Sequence, residues 1–243
     1  MKVLGVDGSP RKYGNTYKLL EVALLAAEEE GAETELVDLY DLEIRPCLGC
    51  LSDEPRACGY PCVLDDDMRP LYDAVLRADA LVLATPIYWY GPSGRLKDFV
   101  DRLTALENMV HHSGYSWVEG KVAGVIAVGN DGGGPHAIST LLLTLIEMGF
   151  LIPPWGIAYY AAKGDVLDDE EVVVDAANVG RSVVLAARAV KEVGRWYDPS
   201  KERARRLALK ARRLAAKRAA EVRAKRARLV NEALKLASEH ALR

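Results

Sequence analysis

The feature that most constrains this chain is an alternation. Apolar runs at Val3–Val6, Thr34–Tyr40, Ala80–Ala84 and Val122–Val128 are separated by stretches whose apolar residues recur at helical spacing. A fifth run, Phe150-Leu151-Ile152 with Ile157-Ala158, is interrupted by Pro153-Pro154. The clearest runs are continuously apolar, as strands buried on both faces require. Helices are predicted from Thr16 to Glu30, from Asp66 or Asp67 to Arg77, from Ser93 to Glu107, up to Met148, and from Asp169 to Val193. Strands that alternate with helices in this way form a doubly wound α/β fold, a five-stranded parallel sheet covered on both faces. Ligands of such sheets lie beyond the carboxyl ends of the strands. The loops 8–16, 85–91 and 129–134 are therefore expected to meet at one edge.

At 243 residues the chain can bury one good core with length to spare. No apolar run approaches the roughly 18 residues of a membrane span. Met-Lys-Val-Leu-Gly reads as a first strand rather than a signal peptide, so a cytoplasmic location is expected. Charge divides the chain in two. Residues 1–197 carry 17 Lys/Arg against 30 Asp/Glu, while residues 198–243 carry 15 against 5. We expect a domain over 1–197 and a basic helical extension over 198–243.

The first strand runs into G-S-P-R-K-Y-G-N-T, residues 8–16. This is not a Walker A loop, because five residues rather than four separate Gly8 from Gly14 and Asn15 stands where the lysine would be. It is not the dinucleotide fingerprint either, which needs three glycines in the turn. What it offers is free backbone N–H groups, hydroxyl and amide donors, and a helix N-terminus. A terminal monophosphate suits that set, and a plain Asn/Thr helix cap is the bland alternative.

Further motifs change the weighing. T-P-I-Y-W-Y-G (85–91) puts aromatics at a strand end, and K-x-F-x-D-R follows at 97–102. With G-S-P-R-x-x-G-N-T, the P-C-x-G-C step, D-D before a helix, A-D-A-x-x-x-x-T-P-x-Y and the glycine-rich loop after the fourth strand, residues 1–195 resemble a known family. It is the flavodoxin-like NADPH-dependent FMN reductases, and within them the iron–sulfur flavoprotein branch. The resemblance implies that Ser9, Arg11, Gly14, Asn15 and Thr16 cradle the FMN phosphate. It implies that Pro86, Ile87, Tyr88 and Trp89 line the ribityl chain and ring, and that Asn130, Gly132, Gly133 and Gly134 bring backbone to the pyrimidine side. Flat apolar surface would cover the ring, and N–H groups would stabilise negative charge on the reduced flavin. Packing at a subunit contact is the other use for Tyr88-Trp89-Tyr90. Lys97, Asp101 and Arg102 read as helix-face ion pairs.

All the cysteines, Cys47, Cys50, Cys58 and Cys62, fall in one short segment spaced C-x2-C-x7-C-x3-C. Two thiolates at C-x2-C can reach one metal or cluster. The cluster-bearing relatives have C-x2-C-x2-C and then the last cysteine, so Asp53 stands at the third position here and Cys58 comes late. A 4Fe–4S cluster, disulfides or free redox thiols, and a structural zinc all stay open.

From Pro199 onward the chain is almost entirely Ala, Leu, Lys, Arg and Glu, a helix-forming composition. Leu207, Leu214, Val222, Leu229 and Leu236, spaced 7, 8, 7 and 7, form one stripe along a straight helix. We expect an arm that packs on a neighbouring subunit of a homo-oligomer, a dimer or tetramer with FMN near the interface. Nucleic-acid binding is the sharper alternative, disfavoured because 198–243 holds no aromatic residue and the body is acidic.

The expected function is an FMN-dependent oxidoreductase. Electrons enter from NAD(P)H or a ferredoxin-like donor and leave to a quinone, a flavin or another small-molecule or protein acceptor. A carrier relaying electrons through FMN and a cluster is the alternative. No acid–base constellation stands out, since the flavin would do the chemistry; His111-His112 read as surface residues, and His136 lies beside the glycine loop.

Overall fold

The computed structural model describes residues 1–241. Five strands, β1 (Lys2–Asp7), β2 (Glu33–Asp38), β3 (Ala80–Pro86), β4 (Val122–Gly129) and β5 (Ile157–Ala161), form one sheet in the order β2-β1-β3-β4-β5. Every pairing is parallel. The chain turns from β1 outward to β2, then returns to place β3 on the other side of β1. The order therefore reverses between β1 and β3.

Helices α1 (Asn15–Glu29) and α7 (Glu170–Val190) cover one face, and α2 (Met68–Arg77), α3 (Gly94–Arg102) and α6 (Gly134–Met148) cover the other. Short helices α4 (Thr104–Glu107) and α5 (Val110–Ser113) extend the second layer. Each layer has its own core. Leu19, Leu20 and Ala23 meet Val179 and Val183 on one side; Met68, Phe99, Leu141 and Leu145 pack on the other. Helices α1 and α7 approach so closely that a Cβ on Gly180 would lie 1.8 Å from the Ala23 carbonyl oxygen, so only glycine fits there.

Most expected elements are present, with differences at the edges. The fifth run splits as its prolines demand: Leu151 makes a single bridge to Val122, Pro153-Pro154 leave the sheet, and β5 begins at Ile157. The helix expected over 93–107 breaks after Arg102, with α4 a separate turn.

The chain divides into a compact unit, Met1–Trp196, and a second beginning at Tyr197. The first closes with the Arg195 guanidinium 3.5 Å from the centre of the Tyr115 ring and Trp196 N–H donating to Glu119 Oε1. The second consists mainly of α8 (Lys201–Ala241). Its stripe Leu207, Leu214, Val222, Leu229 and Leu236 is 47–63% exposed. Among the described residues no helix is long and apolar enough to cross a membrane.

Candidate functional site

The three unusual loops meet. Strands β1, β3 and β4 are neighbours, so their carboxyl ends deliver 8–16, 85–93 and 129–134 side by side. Gly8 N–H donates to the Ala84 carbonyl at 2.8 Å, and Ser93 Oγ donates to the Gly8 carbonyl at 2.6 Å. Ile87 N–H donates to the Val128 carbonyl at 2.8 Å. A Cβ on Gly133, whose φ is +86°, would sit 2.8 Å from the Tyr90 ring, so the glycine loop lies against the aromatic one. The 8–16 and 85–93 loops flank the strand-order reversal between β1 and β3, where doubly wound sheets bind ligands, and the 129–134 loop lies next to them beyond β4.

Within the first loop, Ser9 and Thr16 are buried while Arg11 is exposed. Ser9 Oγ accepts from Arg11 N–H at 3.2 Å. Helix α1 opens at Asn15 behind Gly14 with no side chain capping its first turn and no acidic residue in it. A 15-residue helix that leaves its first N–H groups without a side-chain cap, below an exposed arginine, suits an anion. The Asn15 side chain is otherwise engaged. Its Nδ2 donates to the Gly164 carbonyl at 2.7 Å, tying the loop to the β5–α7 connection.

The second loop is a tight reversal. Tyr88 and Gly91 exchange backbone hydrogen bonds of 2.9 and 3.0 Å around Trp89 and Tyr90. Both central residues have positive φ, +48° and +66°. That geometry ordinarily takes Asn or Gly, and two bulky aromatics hold it at a cost in backbone strain. Trp89 is 96% exposed and Tyr90 62%. Ile87, Trp89, Tyr90, Asp131 and Gly132 line a cleft of about 400 Å3, the size of a small-molecule site.

The sequence-predicted residues thus lie at one edge, with two qualifications. Gly134 is buried, and a Cβ on it would meet Tyr159, so it packs α6 against β5. Asn130 is exposed beside the cleft. Tyr90, expected from the sequence at a subunit contact, lines the cleft, and so does Asp131, which the sequence does not single out. His136 is exposed at the start of α6, where its carbonyl accepts from Ser139 and Thr140.

The cysteine segment is held differently. Asn108, 2% exposed, donates to the carbonyls of Pro55 and Cys58 at 2.6 and 2.7 Å. His112 Nε2 lies 2.9 Å from the Cys58 carbonyl. Arg102, expected on a helix face, is instead 1% exposed and forms a two-pronged pair with Asp66 at 2.7 and 3.1 Å. Burial alone would raise the Asp66 carboxyl; Arg102, with the N–H groups of Arg45 and Met68, holds it below its ordinary value. Lys97 and Asp101 do form the expected exposed pair.

All four cysteines are free and line one small pocket with Arg102. Burial pushes the Cys58 thiol up to about 11, with the other three sulfurs adding to the effect. Yet no three metal-binding side chains among the described residues adopt an arrangement that could hold an ion. The thiols share a pocket without being arranged as a ligand set.

Comparison with known proteins gives these features a context. The family model for NADPH-dependent FMN reductases matches residues 1–163. An iron–sulfur flavoprotein of Methanocaldococcus jannaschii is 33% identical over its whole length, which covers 79% of this chain. An iron–sulfur flavoprotein of Archaeoglobus fulgidus is 31% identical over 70% of this chain and 74% of its own. Among solved structures, RosB with bound 8-demethyl-8-formylriboflavin-5'-phosphate superposes with a TM-score of 0.70 at 22% identity, covering 87% of each chain. An NADH:FMN oxidoreductase in its apo form gives 0.56 at 23%, over 76% of this chain and 89% of its own. The solved structures support the fold, and the sequence matches carry the relationship. The chain belongs to the NADPH-dependent FMN reductase family, and its class of chemistry is FMN-dependent oxidoreduction.

Proposed function

We propose that FMN seats in the crevice between β1 and β3, that NAD(P)H reduces it, and that a quinone, a flavin or another acceptor takes the electrons. The single observation that carries this reading is the convergence of an uncapped helix N-terminus with an aromatic-lined cleft. In it, Arg11, the buried Ser9 and Thr16, and the N–H groups that follow Gly14 hold the phosphate. Pro86 and Ile87 flank the ribityl chain. Tyr88, Trp89 and Tyr90 cover the ring, and the backbone of Asn130, Gly132 and Gly133 faces its pyrimidine end. FMN, when bound, accepts a hydride and passes its electrons on. The chain supplies binding, ring orientation and an aromatic wall, so it needs no titrating catalyst.

The exposed Trp89–Tyr90 turn and the exposed stripe of α8 suit a homo-oligomer, which sedimentation at two salt concentrations tests. One observation favours a second reading of the cysteines, a 4Fe–4S cluster: four thiols line one pocket. Iron and sulfide analysis of protein purified without air decides it. The main reading is tested by the absorption spectrum of that protein before and after NADPH. A flavin spectrum that bleaches within the mixing time supports it, and protein that stays colourless after incubation with FMN refutes it.

A further inference from the structure

One buried carboxyl lies at the root of this edge. Asp7, the last residue of β1, is 1% exposed. Its Oδ1 accepts from Ser9 N–H at 2.9 Å, and its Oδ2 is buried with no hydrogen-bond partner. A carboxylate so placed would be a desolvated charge at the root of an anion-binding loop.

Among the described residues no cation pairs with it. On β2 the residue in register is Asp38, a like charge. On β3 it is Ala84. Helix α1 contributes Tyr17, whose hydroxyl is raised mainly by burial, with Glu21, Tyr13 and Asp7 adding to it. Helix α3 brings the uncharged Ser93 and Leu96 against Gly8. Of the cations of this loop and α1, Arg11 is exposed, Lys12 pairs with Asp41 and Lys18 with Asp165. Burial first, then Asp38, pushes the Asp7 carboxyl up to about 7, against the lowering effect of Ser9 N–H.

We propose that Asp7 links cofactor binding to a proton: the FMN phosphate seats on the 8–16 loop with the Asp7 carboxyl neutral, so binding takes up a proton at this residue. A phosphate dianion is a like charge arriving beside a carboxyl that already lacks solvent and a counter-ion. Neutral Asp7 removes that repulsion and turns its orphaned Oδ2 into a donor. The inference rests on FMN occupying this loop. It makes Asp7 a positioning residue that sets the pH range of tight binding.

Calorimetric titration of FMN into apo-protein at pH 7.5, in two buffers of different ionisation enthalpy, reads the proton directly. For a coupling of one pK unit, about half a proton is taken up per FMN, and affinity falls about sixfold between pH 6.5 and 8.5. Asp7→Asn abolishes the uptake and flattens the profile. Zero uptake or proton release in the wild type overturns the proposal, as does equal uptake in the variant. Should Asp7→Asn not fold, the wild-type proton count decides alone. Absence of saturable FMN binding at any pH is a different result, which refutes the FMN reading itself.

Discussion

The two irregular segments that carry this protein's chemistry are built in opposite ways. The 8–16 loop is laid down by the backbone. Its start is fixed by a strand, its end by a helix, and its neighbour by hydrogen bonds to the Ala84 and Gly8 carbonyls. The cysteine segment is held by side chains reaching in from elsewhere: Asn108, His112, and Arg102 through Asp66. A backbone-built site follows from topology and tolerates substitution at most of its side chains. A side-chain-built loop depends on a few distant residues, and the loss of one leaves buried polar groups unpaired.

The sharpest way to break that comparison is at Arg102. Arg102→Gln leaves the Asp66 carboxylate with only the exposed Arg45, 3.6 Å away, as a counter-charge and should cost about 3–5 kcal/mol in urea unfolding. Lys97→Ala, which removes an exposed pair on the same helix, should cost under about 0.5 kcal/mol. If the two cost the same, the cysteine segment is not anchored as described. Asp7→Asn should act oppositely in the apo-protein. The folded Asp7 carboxyl is raised above its unfolded value of 3.8 to about 7. Its stabilising effect is therefore complete below about pH 4 and is lost as pH rises through about 7. Relative to the wild type, Asp7→Asn should gain about 4 kcal/mol at pH 8 and well under about 1 kcal/mol at pH 4. Unfolding curves at both pH values check this.

Asn108→Ala should cost about 1–3 kcal/mol and speed proteolysis within 47–62 while leaving FMN affinity intact, if the two regions are independent. The smallest effect is expected at the aromatic turn. Trp89→Gly relieves a positive-φ tryptophan and should stabilise the fold by up to about 1 kcal/mol while weakening FMN binding. A variant both less stable and unchanged in affinity would show that the turn is neither strained nor part of the site.

The same contrast governs what could be read from the sequence. The alternation of strands with helices, the parallel sheet and the meeting of three loops at one edge follow from the periodicity of apolar residues, which local spacing reports directly; the strand order does not. Arg102 was legible only as a charge on a helix, because its partner Asp66 lies 36 residues away in a loop without periodicity. Asp7 passed unnoticed, since its burial comes from α1, α3 and β3 closing over the strand end. The left-handed turn at Trp89-Tyr90 was hidden because bulky aromatics are the residues local propensity least expects there. The break at Arg102 and the late start of β5 are tertiary outcomes too, although the prolines at 153–154 marked the second.

The measurement closest to the central claim compares FMN with riboflavin, which lacks only the phosphate, by quenching of flavin fluorescence on binding to apo-protein. If the 8–16 loop and the N-terminus of α1 hold the phosphate, FMN binds about a hundredfold tighter or more at pH 6.5. Equal affinities would mean that the loop is a helix cap and nothing more, and would contradict the account.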